Sequence, residues 1–183
     1  EKEKKLDVDA HVTTVLFNDQ YKMLYNRREL KDVRKMTDKD YTPGGMTALL
    51  DAVGRTIHKM DMVSGIHRKD KGNKVLFVII TDGEENDSRE YTYADVKKLI
   101  KDRQENAGWE FIFLGANIDA VAAAENLGID RDRAVKYKNT GSGVRANFKA
   151  VAELSDSLAK SGRVSDEWKE TVEKDEDDAA DKQ

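Results

Sequence analysis

The segment Val75–Ile80, "VLFVII", is six apolar residues with no polar position among them, and it runs straight into Thr81, Asp82 and Gly83. A strand with one wet face alternates apolar and polar residues. An unbroken run of this length therefore predicts a strand covered on both faces, an interior strand of a parallel sheet with helices on each side. Such strands end on the side of the sheet where ligands gather, and Asp82 stands at that end. Taken alone, Asp82 is equally well read as a turn aspartate ahead of a glycine.

The remaining pattern supplies strands and helices in alternation. "AHVTTVLFND" predicts a strand closing at an Asn-Asp turn, and "QYKMLYNRREL", with Tyr21, Met23 and Tyr25 alternating, predicts the returning arm of an edge hairpin. "KDYTPGG" reads as a loop whose Pro43-Gly44 pair suits a type II turn. Leu49, Leu50, Val53, Ile57 and Met60 share one helical face. "SGIHRKDKGN" is a polar connector, and Thr92 with Asp95 forms a capping box opening a helix with Val96, Leu99 and Ile100 inward. "WEFIFLGAN" is a second buried strand, followed by a short helix capped by Asp119 and ended by Gly128. "AVKYK" predicts a last short strand, and Val144, Phe148, Val151, Leu154 and Leu158 a final amphipathic helix. The expected fold is α/β: a doubly wound, mostly parallel open sheet with helices on both faces and one antiparallel edge hairpin.

A chain of 183 residues can bury one substantial core, and the expected division is a body over 1–162 and an acidic tail over 163–183. Asp166–Gln183 holds nine acidic and three basic residues, leaving the remainder of a chain of net charge −4 near +2. That body has no basic footprint for nucleic acid, and the tail reads as a solvated, frayed end. No apolar run reaches the roughly 18 residues of a membrane span. The absence of cysteine removes disulfides, thiolate metal sites and a cysteine nucleophile. It fits a cytoplasmic setting as well as it fits the many exported chains that lack cysteine. Trp109 and Trp168 read as packing residues, and His11, His58 and His67 show no ligand or catalytic spacing.

Two short motifs carry chemistry. In "GGMTALLDA", Gly44 and Gly45 permit close backbone approach and Thr47 precedes a helix, either as its N-cap or with its hydroxyl directed to the rim. In "VIITDG", Asp82 leaves its strand for a glycine turn. A hydroxyl and a carboxylate are hard oxygen ligands of the kind Mg²⁺ takes while keeping several waters. Glu84, Glu85 and Asp87 are most simply solvated acids, and "NTGSG" at Asn139–Gly143 is either an anion cradle or a plain helix entry.

At these residues, and in element order from Ala10 to Leu158, the chain resembles the von Willebrand factor type A domain. The resemblance implies a non-catalytic protein-binding module with a metal-ion-dependent adhesion site for Mg²⁺ or Mn²⁺. Thr47 and Asp82 would be metal ligands, and Gly45, Gly83, Glu84 and Asn117 would form the rim that meets a partner's carboxylate. The family also places a D-x-S-x-S loop after a central first strand, and no such loop follows an apolar strand in this sequence. By resemblance that strand belongs between "HVTTVLF" and "VLFVII", and "EKEKK" reads as the exit of the helix after it, with strand and loop expected upstream of Glu1. The alternative is a sheet repaired by a swapped or partner strand. Among other classes, a metal-independent scaffold of the same shape competes directly. A phosphohydrolase is disfavoured, because no GxxxxGK[ST] loop, D-x-D arrangement or Ser-His-Asp ordering is present.

Overall fold

A computed structural model describes residues 9–37, 39–40, 44–62, 74–165 and 167–173. Pro43, the connector "SGIHRKDKGN", the opening "EKEKK" and residues 174–183 of the acidic end lie outside the described residues.

Strands β1 (His11–Phe17) and β2 (Tyr21–Glu29) form the antiparallel hairpin that their alternation predicts, with a register irregularity around Thr14. Then follow α1 (Leu49–Asp61), β3 (Leu76–Thr81) and α2 (Tyr93–Asp102). β4 (Glu110–Gly115), α3 (Ala120–Asn126), β5 (Ala134–Lys136) and α4 (Gly141–Ser161) complete the order. The expected caps are present: Thr92 and Asp95 make the reciprocal capping box of α2, and Asp119 accepts from Ala122 N at the start of α3. Thr140 caps α4 through Gly143 N. The chain is therefore α/β, with a parallel sheet in the order β3-β4-β5 and the hairpin as a separate two-stranded sheet.

β4 explains the two-sided core. Phe111 and Phe113 point to one face and Ile112 and Leu114 to the other, and all four are fully buried. The first face packs on Leu49, Leu50, Val53 and Ile57 of α1 and on Val96 and Ile100 of α2. The second packs on Val135, Ala150, Leu154 and Leu158. Phe77 of β3 stacks on Phe111 at 5.2 Å between ring centroids, within the range where aromatic pairs attract.

Three expectations change. Among the described residues β3 pairs with β4 alone, and β4 is the strand with a neighbour on each side. An apolar run reports that both faces are apolar and says nothing about which strands lie alongside. In α4, Val144 and Phe148 are 38% and 59% exposed although they share helical spacing with the buried Leu154 and Leu158. Packed structure also continues beyond Gly162. Val164, Trp168 and Val172 are buried in the second core, Lys169 Nζ donates to Arg131 O at 2.8 Å, and Thr171 Oγ1 donates to Glu153 at 2.7 Å. No described helix is long and apolar enough to cross a membrane.

Candidate functional site

The glycine loop is built onto the hairpin turn. Asn18, just past β1, donates from Nδ2 to Gly44 O at 2.9 Å, and its own carbonyl accepts from Ala48 N at 2.8 Å. Gly45 has a φ of 90°, and a Cβ there would lie 2.6 Å from Asp19 Oδ1. The conformation demands glycine, and any side chain here would also push the ends of Asn18 and Asp19 aside. Gly45 thus serves the loop's packing against the turn.

The loop after β3 is strapped to the start of α1 by two carboxylates. Asp51, buried on the helix, accepts from three successive backbone N–H groups: Arg89 at 3.0 Å, Glu90 at 2.9 Å and Tyr91 at 3.0 Å. Burial pushes the Asp51 carboxyl up, but the three N–H bonds, with help from the Arg55 charge, outweigh it and hold the group below the ordinary aspartate value. Glu85 answers from the loop, accepting from Leu50 N in the first turn of α1 at 2.9 Å, from Ser88 N and Oγ at 2.7 Å each, and from Asp87 N at 3.0 Å. Ser88 Oγ in turn accepts from Asp51 N at 3.1 Å. The helix's orphan donors are satisfied from 35 and 37 residues away, where a local cap would ordinarily serve. Glu85 and Asp87 are therefore bound into the structure, Asp87 also accepting from Arg89, while Glu84 remains exposed.

These straps set the distance between the two motifs. Asn86 Oδ1 accepts from Thr47 N at 2.7 Å and Asn86 N donates to Thr47 O at 3.0 Å, a closed two-bond bridge. α1 begins at Leu49 behind Ala48 with no side-chain cap, so the N-cap reading of Thr47 does not hold. Its hydroxyl instead faces the turn after β3, and a Cβ on Gly83 would be 3.1 Å from Thr47 Oγ1. Thr81 Oγ1 pins that turn by donating to Gly83 O at 3.0 Å. Asp82 is exposed on the rim, where its Oδ2 accepts from Asn139 Nδ2 at 3.3 Å. Asn117, after β4, is also exposed and in the left-handed region at φ 57°. Thr47 thus lies against Gly83, the residue after Asp82, and Asn139, beyond the end of β5, touches Asp82.

The donor set is one hydroxyl, one carboxylate and one side-chain amide, all oxygen-bearing, with a single negative charge. No group of three or more His, Cys, Asp or Glu that could hold a metal ion occurs among the described residues. Such a set does not build a zinc site or a calcium cage. It fits only an ion that keeps most of its own water, as Mg²⁺ does. The field beside it is negative: burial pushes the Tyr93 phenol up, and the charges of Glu85 and Glu84 push it further. A cavity of about 300 Å³ opens behind the strap, lined by Phe17, Asp19, Tyr21, Asp51, Arg55 and Glu90 among others. Both arginines that line it are already engaged: Arg55 donates twice to Glu90, at 2.8 and 2.7 Å, and Arg89 donates to Asp87 at 3.2 Å.

Motif reading passes over Asp51, Asn86 and Ser88, takes Asn18 only as a turn residue and Glu85 as a solvated acid, and places Asn139 in an anion cradle or helix entry without linking it to Asp82. Only Asp51 carried a signal: a carboxylate between Leu50 and Ala52, on the face of a helix that must be buried. Compared with protein-family models, curated proteins and solved structures, the chain matches none.

Proposed function

We propose that this chain is a non-catalytic protein-binding module whose contact surface is the rim around Thr47 and Asp82. On this reading the fold is a variant of the von Willebrand factor type A architecture. A hydrated Mg²⁺ or Mn²⁺ would be held by Thr47 Oγ1 and the Asp82 carboxylate, with Asn139 orienting that carboxylate. When bound, the ion supplies an open coordination position for a carboxylate of the partner protein.

One observation carries the reading: the Thr47 hydroxyl, free of helix capping, lies against Gly83, the residue that follows Asp82 at the carboxyl end of β3. The element order and the two-sided core support the fold assignment. A metal-independent scaffold is the second reading, favoured because no group of three or more His, Cys, Asp or Glu that could hold a metal ion occurs among the described residues. The two separate on Mn²⁺ titration followed by loss of the free-ion electron paramagnetic signal, using wild type, Thr47→Ala and Asp82→Ala. Binding in wild type that weakens in both variants, with unchanged circular dichroism, supports the ion site. Equal titrations in all three proteins refute it and leave the scaffold.

A further inference from the structure

We infer that the cavity between the hairpin turn and the loop after β3 binds a guanidinium group carried on a short alkyl stem. This site is separate from the Thr47–Asp82 rim and does not depend on what that rim binds.

The charge of the lining decides the sign of the ligand. Four carboxylates, Asp19, Asp51, Asp87 and Glu90, stand against two guanidiniums, Arg55 and Arg89, which leaves a net charge of −2. An anion entering here would meet repulsion and find its natural partners taken, because Arg55 is held by Glu90 and Arg89 by Asp87. A cation meets the opposite situation.

The carboxylates are not used alike. Asp51 is filled by the three backbone N–H groups of the strap, and Asp87 and Glu90 each have an arginine. The Asp19 carboxylate has neither a hydrogen bond nor an ion pair among the described residues, and the side-chain amide of Gln20 has no hydrogen bond there. The glycine loop backs that carboxylate, since its Oδ1 would lie 2.6 Å from a Cβ on Gly45. The hairpin turn thus offers two adjacent oxygen acceptors to the cavity, and both cations of the lining are spent elsewhere.

Size and lining shape the rest of the ligand. A cavity of about 300 Å³ is at the small end of ligand pockets, so its occupant is the size of one side chain. Phe17, Ala48 and Ala52 add apolar surface, which suits an alkyl stem. Guanidinium fits the acceptors better than ammonium does. It is planar and weakly hydrated, and it presents paired N–H donors to a carboxylate, whereas ammonium is a compact and strongly hydrated point charge. Arg55 displays the same mode in the wall of this cavity: its guanidinium stands 5.9 Å from the Tyr21 ring centroid and gives two N–H bonds to Glu90.

The group can come from a free small molecule or from an arginine of a polypeptide, and two probes separate these sources: methylguanidinium, and N-acetyl-arginine methylamide. Each is titrated into the whole chain while backbone resonances are followed, with sodium chloride at matched ionic strength as the reference. Saturating shifts are expected at Gln20, Tyr21, Arg55 and Glu90. Saturation by both probes points to a free cation, and saturation by the arginine derivative alone points to a polypeptide. Asp19→Asn keeps the shape of an exposed side chain and should weaken binding roughly tenfold or more. Glu84→Gln removes a charge outside the cavity and should change binding by less than about twofold. Butylammonium should bind more weakly than either probe. No saturating shift with either probe overturns the inference. Equal weakening by Asp19→Asn and Glu84→Gln also overturns it, because the cation then answers only to the general negative field. Tighter binding of butylammonium overturns the choice of guanidinium.

Discussion

Replacing Asp51 by asparagine removes the charge from the strap with almost no change in shape. Asn keeps one oxygen, which continues to serve two of the N–H groups of Arg89, Glu90 and Tyr91, but it turns an amide donor toward the third. A buried N–H left without an acceptor costs about 1–3 kcal/mol. The two surviving bonds fall from charge-assisted to neutral, about half their former strength. Arg89 is an exposed residue, and partial rescue of its N–H by water trims the total, so the expected loss is about 2–3 kcal/mol. In a domain of this size that lowers Tm by roughly 4–12 °C. Urea denaturation followed by fluorescence of the buried Trp109 and Trp168 measures it at pH 7. The pH dependence gives the sign. The folded carboxyl sits below its ordinary value, so its stabilisation is present above the unfolded aspartate value of about 3.9 and is lost as pH falls through the folded value. The gap between wild type and Asp51→Asn should therefore be full at pH 7 and shrink as the medium is acidified below pH 4. A gap under about 0.5 kcal/mol at pH 7, or one that widens with acid, refutes the strap as a source of stability.

Two further perturbations separate packed from unpacked parts of the last helix. Leu154→Ala should cost about 2–5 kcal/mol because the side chain is fully buried, whereas Phe148→Ser should stay within about 0.5 kcal/mol; equal losses in denaturant titration would mean that the exposed face of α4 is covered in solution. Gly143→Ala places a Cβ 2.0 Å from Lys138 O, so the turn carrying Asn139 must move. A loss of about 1–3 kcal/mol is expected, together with shifted backbone resonances at Asn139 and Asp82, and unshifted resonances would contradict the packing.

Much of the secondary structure was legible because its determinants are local. Thr92 and Asp95 are three residues apart, the alternation of Tyr21, Met23 and Tyr25 spans five residues, and the buried face of α1 follows helical spacing. Glu85 was misread for the opposite reason. As a letter after Asp82 and Glu84 it looks like a solvated acid, and only its approach to Leu50 N makes it a helix cap. Phe148 was misread because periodicity groups side chains on a face without showing whether anything lies against that face.

The sequence by itself determined the alternating α/β order, the hairpin, the helix starts at Thr92 and Asp119, and the two motifs with Thr47 and Asp82 in them. The tertiary structure decided that Thr47 lies against Gly83, that Asn139 reaches Asp82 from 57 residues away, and that β4 is the middle strand of the described parallel sheet. The division follows from range. Periodicity and caps act over a few residues and leave a trace in spacing, whereas a hydrogen bond between distant loops depends on which helices and strands pack together. That packing is set by the summed burial of both core faces, which no short motif records.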